Sequence, residues 1–534
     1  MIPSTDPQTR HVPRRDTDRP LVVFKLGGTT TGSPASEGRI RQAKRLMADT
    51  IESGRYVVPV FSAYRRGRSA AEDKVSITDL LQGCDARFRL GPGFQGQVEE
   101  LRSALTAPHL ALMQDLGVGD DAELTTRIRA EIDWLVETAA FCASAHESIP
   151  SMRASLVTGG ERLAVQIIAA YLSRQHEEGK FPMRAEPATA QEIGLVTNDR
   201  FLDADILWSS AMENVAEVVI GHYLERGVMP VVTGFDGIHD PSREWHEITG
   251  ERSRVPDPTG RLQRSFRTAL GRGGSDLTAT FLGAALEAEY VGFLKETPGV
   301  LSCDDLVVGD SACTLPHLDY EIATEAGNIM SRAVQPAKAN GVPVRIFDPK
   351  DPDAATEIGP WELPEGLFIA SRPIEAVNVT VGWTSDQPGD LVRLLSHFSD
   401  NGVNLAEVRH EKSGTELICD RGLDGIDRVV EVLADAGHEP RLRYTWYVRV
   451  VGNVTPQLGM EFNRFIERHH PTAYAVFQLG ARALTATFTR NRAAVSEHEA
   501  DRIRGIVKDI HDALVLPCVE GLASAAPRPA RSIG

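Results

Sequence analysis

Two glycine-rich segments combine backbone amides with charged side chains in the way that a phosphate-handling site requires. The first, KLGGTT at residues 25–30, directly follows a short apolar run, and the second, GRGGSD at residues 271–276, leads into a predicted helix. Glycines let backbone N–H groups come close to an anion, and a lysine at a strand end adds a point charge for phosphoryl oxygens. A P-loop is excluded, because the sequence contains no GxxxxGK[ST] motif.

Two further segments place polar side chains at predicted helix starts. TGGERLA at residues 158–164 puts Glu161 in a first turn, and Ser62-Ala63 is followed by ITDLL at residues 77–81. An acid in a first turn and a capping box would account for these residues structurally. Their chemical interpretation therefore depends on their order along the chain rather than on each motif alone.

Composition excludes several classes of function. The 534 residues carry a net charge of −17, which does not suggest a nucleic-acid-binding protein. No apolar run approaches the roughly 18 residues of a membrane span, and the first 19 residues lack the apolar core of a secretory signal. The six cysteines show no CxxC pair, so we predict no disulfide framework, no metal site and a cytoplasmic protein.

Apolar runs alternate with helical patterns over the first 350 residues. Strands are predicted at residues 21–24, 56–61, 156–157, 228–232, 290–294 and 342–347, with helices between them at 38–53, 162–174 and 277–288. Buried strands that alternate with helices predict an α/β fold with a largely parallel sheet. The polar stretch at 239–263 is predicted to be an exposed insertion.

The rest of the chain changes character after a segment rich in Pro, Asp and Glu. From residue 372 the order strand, helix, strand, strand, helix appears and then recurs from residue 444. This pattern predicts two βαββαβ-like units in tandem.

Taken in order, the four motifs resemble those of the aspartate kinases in the amino-acid kinase family. That family has KFGGTS, SA…TDLL, SxGExLS and GF…LGRGGSDTTA, where this chain has KLGGTT, SA…TDLL, TGGERLA and GF…LGRGGSDLTAT. The C-terminal units resemble the paired ACT domains of the same family. The resemblance implies a three-layer sandwich with a largely parallel sheet, followed by two α+β ferredoxin-like ACT domains.

The resemblance also implies how the chain divides into six segments. They are a disordered N-terminal arm at 1–19, a catalytic domain at 20–350, a linker at 351–371, ACT domains at 372–443 and 444–520, and a disordered tail at 521–534.

The activity implied by the resemblance is phosphorylation of the side-chain carboxylate of L-aspartate by ATP with Mg²⁺, giving 4-phospho-L-aspartate and ADP. Lys25 would neutralise the transferred phosphate, and Asp276 would orient Lys25. Arg272 would hold the α-carboxylate and Glu161 the α-amino group, while Ser62, Thr78 and Ser275 would complete the substrate pocket. Nucleotide contacts are implied for Gly27, Gly28, Thr29, Gly273, Gly274, Lys295, Glu296 and Arg332. No general base is needed, because a carboxylate is already ionised near pH 7.

Three segments depart from the family pattern. KETPG at 295–299 stands where the family has a W-T-D-V-D-G-like segment, so a glutamate replaces the usual aspartate. The lysine of the family's GAKVLHPRAV motif is absent, and Arg332 is expected to take its place. In the second ACT unit, GARAL at 480–484 replaces the effector signature S-E-x-N-I.

Two alternatives to an active aspartate kinase remain open at this point. One is a divergent kinase for another amino acid in a specialised pathway, and the other is a non-catalytic amino-acid sensor with ACT domains. In all three cases we expect a homo-oligomer formed through the ACT domains, a possible amino-acid effector, and no nucleic-acid or membrane partner.

Overall fold

The computed structural model describes most of the chain. The described residues are 19–31, 37–64, 77–82, 93–144, 149–240, 266–382, 388–401, 403–411, 414–421, 423–470, 474–477, 482–489, 497–524 and 528–529. The predicted N-terminal arm and the predicted insertion at 239–263 lie almost wholly outside these residues. Most of the predicted C-terminal tail also lies outside them.

Twenty strands are found in the described part of the chain. They are β1 (Leu21–Leu26), β2 (Tyr56–Phe61), β3 (Arg184–Ala188), β4 (Val196–Thr197), β5 (Val228–Thr233), β6 (Asp236–His239), β7 (Phe266–Ala269), β8 (Tyr290–Leu294), β9 (His317–Asp319), β10 (Val344–Asp348), β11 (Asp351–Gly359), β12 (Trp361–Glu362), β13 (Gly366–Ala370), β14 (Ile374–Gly382), β15 (Asn404–Glu411), β16 (Gly414–Arg421), β17 (Arg441–Asn453), β18 (Tyr474–Phe477), β19 (Ala483–Thr489) and β20 (Arg528–Pro529).

The helices are named here by their residues. The α-helices are Gly28–Thr31, Glu37–Glu52, Ile77–Gln82, Phe94–Asp115, Ala122–Ser144, Pro150–Val157, Gly159–Glu177, Ala190–Ile193, Trp208–Glu217, Gly274–Ala285, Asp305–Val308, Tyr320–Glu325, Ser331–Asn340, Pro388–Asp400, Ile426–Asp435, Pro456–His469, Glu497–Ile510 and Leu516–Ser524. Short π-helices follow at Val218–Tyr223 and His511–Val515, and 3-10 turns at Leu224–Arg226, Gly309–Ser311 and Leu423–Gly425.

The chain divides into two compact units. The first contains Met1–Gly299 and Ile329–Pro360, and the second contains Val300–Asn328 and Trp361–Gly534.

The main sheet of the first unit has the strand order β3-β5-β2-β1-β8-β10-β11. All pairs are parallel except β10 with β11, so the prediction of a largely parallel sheet is confirmed. The central strands are almost wholly apolar and buried, as expected for strands covered by helices on both faces. Because parallel strands end at the same edge, Lys25 of β1 lies beside Val60 of β2 and Phe293 of β8.

One predicted strand in this unit is wrong. Leu156 and Val157 close the helix Pro150–Val157, which has a proline in its first turn. A two-residue apolar pair cannot distinguish a strand from the buried side of a helix, and here the helical alternative was correct.

The predicted linker at 351–371 is also wrong, because the segment is largely strand. β11 turns back along β10, with Val344 opposite Ile358, and β13 is fully buried. β11 is polar because it is half exposed over much of its length, and this composition hid the strand from sequence analysis.

In the second unit, two ferredoxin-like halves share one antiparallel sheet with the order β15-β16-β14-β17-β19-β18, and β13 also pairs with β17. The first half comprises β14, Pro388–Asp400, β15, β16, Ile426–Asp435 and the first part of β17. Its core contains Val377, Val379, Phe398, Leu417 and Leu433.

The second half begins within the same long strand β17 and takes its fourth strand from β13. The prediction of two α+β ferredoxin-like units is therefore confirmed, but their tandem arrangement is wrong. The first half is inserted between β13 and the rest of the second half. Sequence order could not show this, because β13 lies in the segment that was predicted to be a linker.

The prediction of a disordered tail at 521–534 is wrong for part of this segment. The helix Leu516–Ser524 extends into it, and β20 pairs with β12.

Candidate active site

An ion pair joins the two glycine-rich segments. Lys25 is the penultimate residue of β1, and its Nζ lies 2.8 Å from Oδ1 of Asp276, which stands in the first turn of Gly274–Ala285. About a fifth of each side chain is exposed, so the pair is reachable from solvent. An ammonium held by a carboxylate at the carboxyl edge of a parallel sheet is well placed to meet an anionic ligand.

A small recess lies near this pair, at the ends of β8 and β10. It has a volume of about 140 Å³ and is lined by Thr30, Arg39, Gln42, Lys295, Glu296, Asp348, Pro349 and Lys350. Solvent reaches the Lys295 side chain, yet the surrounding protein displaces enough water to lower its pKa. The Lys25 ammonium contributes to that shift, and Asp276 opposes it. Glu296 forms an ion pair with Arg39 across the recess.

The loop before Gly274–Ala285 is fixed by glycines that no other residue could replace without strain. Gly271 and Gly273 have φ angles of 69° and 74°, in the left-handed region. A side chain at Gly271 would collide with the carboxylate of Asp203, and one at Gly273 would collide with Met330. The exposed Arg272 is thus presented on a loop that is packed on both sides.

Arg332 holds one side of this loop. Its guanidinium binds Asp203 at 2.6 Å, Asp205 at 2.8 Å and the carbonyl oxygen of Leu270 at 3.0 Å. These contacts give Arg332 a role in positioning the loop of Arg272. They do not support the expectation that it replaces the nucleotide-binding lysine of the family.

The TGFDG segment after β5 carries a strained residue against the same helix. Phe235 has a φ of 67°, which is unusual for a bulky side chain. Its N–H donates to the hydroxyl of Thr278 at 3.2 Å, and its carbonyl accepts from the N–H of Leu270. A Cβ at the neighbouring Gly234 would lie 2.7 Å from the hydroxyl of Ser275, so the two segments are in direct contact.

The predicted substrate residues on the other side are brought together by Gly159–Glu177. A Cβ at Gly160 would lie 2.7 Å from Ala63, which follows Ser62, and 3.1 Å from Ile77, which precedes Thr78. Oε1 of the buried Glu161 accepts the N–H of Ala63 at 3.1 Å. Burial, opposed by that hydrogen bond, raises the pKa of Glu161 to about 8.

Sequence analysis missed a buried charge cluster next to Glu161. Asp236 on β6 is fully buried, and its Oδ2 accepts from Arg267 on β7 at 3.0 Å. Arg162, which is nearly fully buried, binds Glu131 at 2.7 Å. Burial raises the pKa of Asp236, and the guanidiniums of Arg267 and Arg162 oppose that shift. The available signal was the Asp between Phe235 and Gly237, to which sequence analysis assigned no role.

Most predicted site residues thus fall into two groups. Lys25, Gly273, Gly274, Asp276 and Lys295 form the group around the ion pair. Glu161 and Ser275 lie beside the TGFDG segment, and Ser62 and Thr78 are the chain neighbours of Ala63 and Ile77, which pack against Gly160. Gly27 and Gly28 follow Lys25 after Leu26 and are half buried, whereas the side chain of Thr29 lies outside the described residues.

Two features are absent from the described part of the chain. It contains no group of three or more His, Cys, Asp or Glu side chains that could hold a metal ion by themselves. Within the same residues, no helix is both long and apolar enough to cross a bilayer.

Two known relatives of this sequence are named aspartokinase. The chain is 26% identical to aspartokinase 3, chloroplastic, of Arabidopsis thaliana over 450 residues, which cover 81% of this chain and 72% of that protein. It is 28% identical to the aspartokinase of Corynebacterium glutamicum over 287 residues, which cover 51% of this chain and 60% of that protein.

Solved structures show the same fold at lower identity. Escherichia coli aspartokinase III in complex with lysine and aspartate aligns over 92% of this chain and 99% of its own, with a TM-score of 0.67 and 19% identity. The same enzyme in complex with aspartate and ADP aligns over the same shares, with a TM-score of 0.62 and 19% identity. A profile of the amino acid kinase family matches residues 20–348, which is more than half of the chain. This protein belongs to the amino acid kinase family.

Proposed function

We propose that this protein is an aspartate kinase that transfers the γ-phosphoryl group of ATP to the side-chain carboxylate of L-aspartate. The products are 4-phospho-L-aspartate and ADP. The observation that carries the proposal is the Lys25–Asp276 ion pair at 2.8 Å, at the sheet edge and next to the glycine-rich loop. The relatives named aspartokinase, and the E. coli structures with aspartate and with ADP, support this assignment.

The reaction brings a carboxylate against a triphosphate, so its main barrier is repulsion between anions. Catalysis then consists of charge neutralisation and in-line positioning. Lys25 neutralises the phosphoryl group as it moves, and Asp276 fixes the position of Lys25. Lys295 supplies a second positive charge. Burial lowers the pKa of Lys295, and the opposing contribution of Asp276 and the reinforcing one of Lys25 place its ammonium near that ion pair.

The amino acid binds between the two groups of residues. Arg272 receives the α-carboxylate, and Glu161 receives the α-ammonium. Ser62, Thr78 and Ser275 complete the pocket around the reacting side chain. The attacking carboxylate is ionised without help, so no side chain acts as general base.

We assign magnesium to the recess beside Lys295, where two carboxylates are available. A magnesium ion that arrives with ATP needs only one or two carboxylates, because phosphate oxygens and waters complete its shell. Glu296 and Asp348 line this recess and are the residues that would hold the ion. When bound, it would screen charge on the phosphates.

A hydroxamate assay tests the function directly. Hydroxylamine traps an acyl phosphate, so purified protein with MgATP and a panel of amino acids and simple dicarboxylates should give a coloured hydroxamate with L-aspartate. Turnover of another amino acid alone would replace aspartate as substrate and indicate a divergent kinase. Binding of amino acids without turnover of any would identify a sensor and contradict the proposal.

The second unit supports a regulatory role for the same enzyme. Its two ferredoxin-like halves meet in one sheet through β17, and we propose that this unit binds an amino-acid effector and joins subunits into a homo-oligomer. Light scattering at micromolar concentration should give a mass of at least twice the 58.2 kDa chain. A monomer under those conditions would contradict the assembly.

A further inference from the structure

Asp236 is a buried acid to which the mechanism above gives no task. It begins β6, is fully buried, and uses only one of its two carboxylate oxygens in the described residues. Oδ2 accepts from Arg267 at 3.0 Å and from the hydroxyl of Thr233 at 3.5 Å. Oδ1 is buried and has no hydrogen-bond partner among the described residues.

Glu161 shows the same half-satisfied state. Its Oε1 accepts the N–H of Ala63, and its Oε2 is buried with no partner in the described part of the chain. The two acids act on each other, since the carboxylate of Asp236 contributes to the raised pKa of Glu161, and Arg162 interacts with both. Two neighbouring carboxyl groups therefore each leave one oxygen without a donor.

This arrangement is costly for the folded protein alone. A buried polar atom without a partner loses its hydration and gains nothing in return. The positive charges nearby are already engaged, because Arg267 binds Asp236 and Arg162 binds Glu131. What the two oxygens lack is a compact cation with several N–H donors.

We infer that Asp236 and Glu161 together bind the α-ammonium group of the amino-acid substrate, with Arg267 as the residue that positions Asp236. This inference rests on the proposed function and extends it, because the resemblance to aspartate kinases implies Glu161 alone for this task. An ammonium group has three donors, enough for one oxygen of each acid and one further acceptor.

The backbone around Asp236 agrees with a binding role. Asp236 follows Phe235, whose positive φ is maintained by hydrogen bonds to Thr278 and Leu270. Strain of this kind persists where the surrounding structure enforces it, and it concentrates at ligand sites. Here it fixes the acid two residues after Gly234, which contacts Ser275 of the predicted substrate pocket.

The consequence is selectivity for α-amino acids over dicarboxylates that lack the amino group. Succinate is L-aspartate without its α-ammonium, so it lacks the group that Asp236 and Glu161 bind. Removing the charge of Asp236 should therefore weaken aspartate binding and leave succinate binding unchanged.

The test compares Asp236→Asn with wild type in the hydroxamate assay. We expect the KM for L-aspartate to rise about tenfold, as for loss of one charge-assisted hydrogen bond, with the KM for ATP unchanged. The inhibition constant of succinate should stay within twofold of wild type. Asp49→Asn, on the exposed face of Glu37–Glu52, is the matched control and should change none of these values.

A double-mutant cycle shows whether the two acids share one ligand. Glu161→Gln and Asp236→Asn together should raise the KM for aspartate by clearly less than the product of the single effects. Should Asp236→Asn fold poorly, Arg267→Met and Arg267→Lys provide the second route. The methionine variant should raise the KM for aspartate but not the KM for ATP. The lysine variant should largely restore the wild-type KM for aspartate.

The outcomes separate this inference from the proposed function. Aspartate turnover by wild type with an unchanged KM in Asp236→Asn overturns the inference and leaves the function standing. Equal losses for aspartate and succinate make Asp236 a purely structural residue and also overturn it. No turnover of any amino acid by the wild-type enzyme overturns both.

Discussion

In the proposed site, the phosphate side around Lys25 and Asp276 and the amino-acid side around Glu161 and Asp236 handle charge in opposite ways. Lys25 and Asp276 are partly exposed and already paired, whereas Glu161 and Asp236 are buried, and each has one oxygen without a partner in the described residues. A partly exposed ammonium has three donors, so Lys25 can meet a phosphate while it keeps its contact with Asp276. A buried acid instead gains most when a cation arrives. The contrast indicates a preformed phosphate side and an amino-acid side that is completed by its substrate.

The largest effect expected from this contrast is at the phosphate side. Lys25→Ala should lower kcat about a thousandfold, because the charge that neutralises the transferred phosphoryl group is lost. The fold should survive, since the side chain is partly exposed and Asp276 can be hydrated. Lys44→Ala is the control, since Lys44 is a partly buried lysine that bonds Gln175 away from the site. A kcat near the wild-type value for Lys25→Ala would remove this residue from the mechanism.

The amino-acid side should respond in binding rather than in turnover. Arg272→Met should raise the KM for aspartate about a hundredfold, because the α-carboxylate loses a charged, bidentate partner. The KM for ATP should change little. Arg129→Met, on the exposed face of Ala122–Ser144, is the control for loss of a surface arginine. An effect on ATP alone would assign Arg272 to the phosphate side.

The two sides also differ in how far the sequence predicted them. Lys25, Gly273 and Asp276 stand in contiguous motifs, so the resemblance of those motifs to the family pattern implied that Asp276 orients Lys25. The Asp236–Arg267 pair is formed across β6 and β7, between residues 31 positions apart and separated by a stretch that is mostly undescribed. No local pattern encodes such a pair, and neither hydropathy nor composition marks a buried ion pair.

The same limit applied to the fold. The buried runs of β1, β2, β5 and β8 predicted a parallel sheet, because continuous apolar segments need cover on both faces. β11 was missed, since its residues are polar and half exposed. The role of β13 was missed because its partner, β17, lies about 80 residues further along the chain.

The buried acids predict an unusual dependence of stability on pH. Burial raises the pKa of Glu161 from its ordinary 4.5 to about 8, so the folded state binds this proton more tightly than the unfolded state does. Its contribution to the free energy of unfolding is therefore fully present below about pH 4.5 and is lost as the pH rises to about 8. The raised pKa of Asp236 acts with the same sign.

Glu161→Gln should remove most of this dependence. The variant should match wild type near pH 5 and exceed it by on the order of 4 kcal/mol at pH 8, as measured by urea unfolding without substrate. Glu137→Gln, on an exposed helix face, should follow the wild-type curve. A wild-type stability that is flat or rises between pH 5 and 8 would mean that Glu161 is ionised in the free enzyme, and the amino-acid side would then be as preformed as the phosphate side.

The smallest effect is expected for Arg332. It tests whether this residue belongs to the phosphate side or to the amino-acid side. Its bonds to Asp203, Asp205 and Leu270 hold the loop that presents Arg272, so Arg332→Met should raise the KM for aspartate about threefold through a looser loop. Arg200→Met is the matched control, because Arg200 bonds the same two acids from an exposed position without a described contact to Leu270. A rise in the KM for ATP instead would place Arg332 beside the nucleotide, as the family pattern predicted. The loop of Arg272 would then be held by its glycines and Asp203 alone.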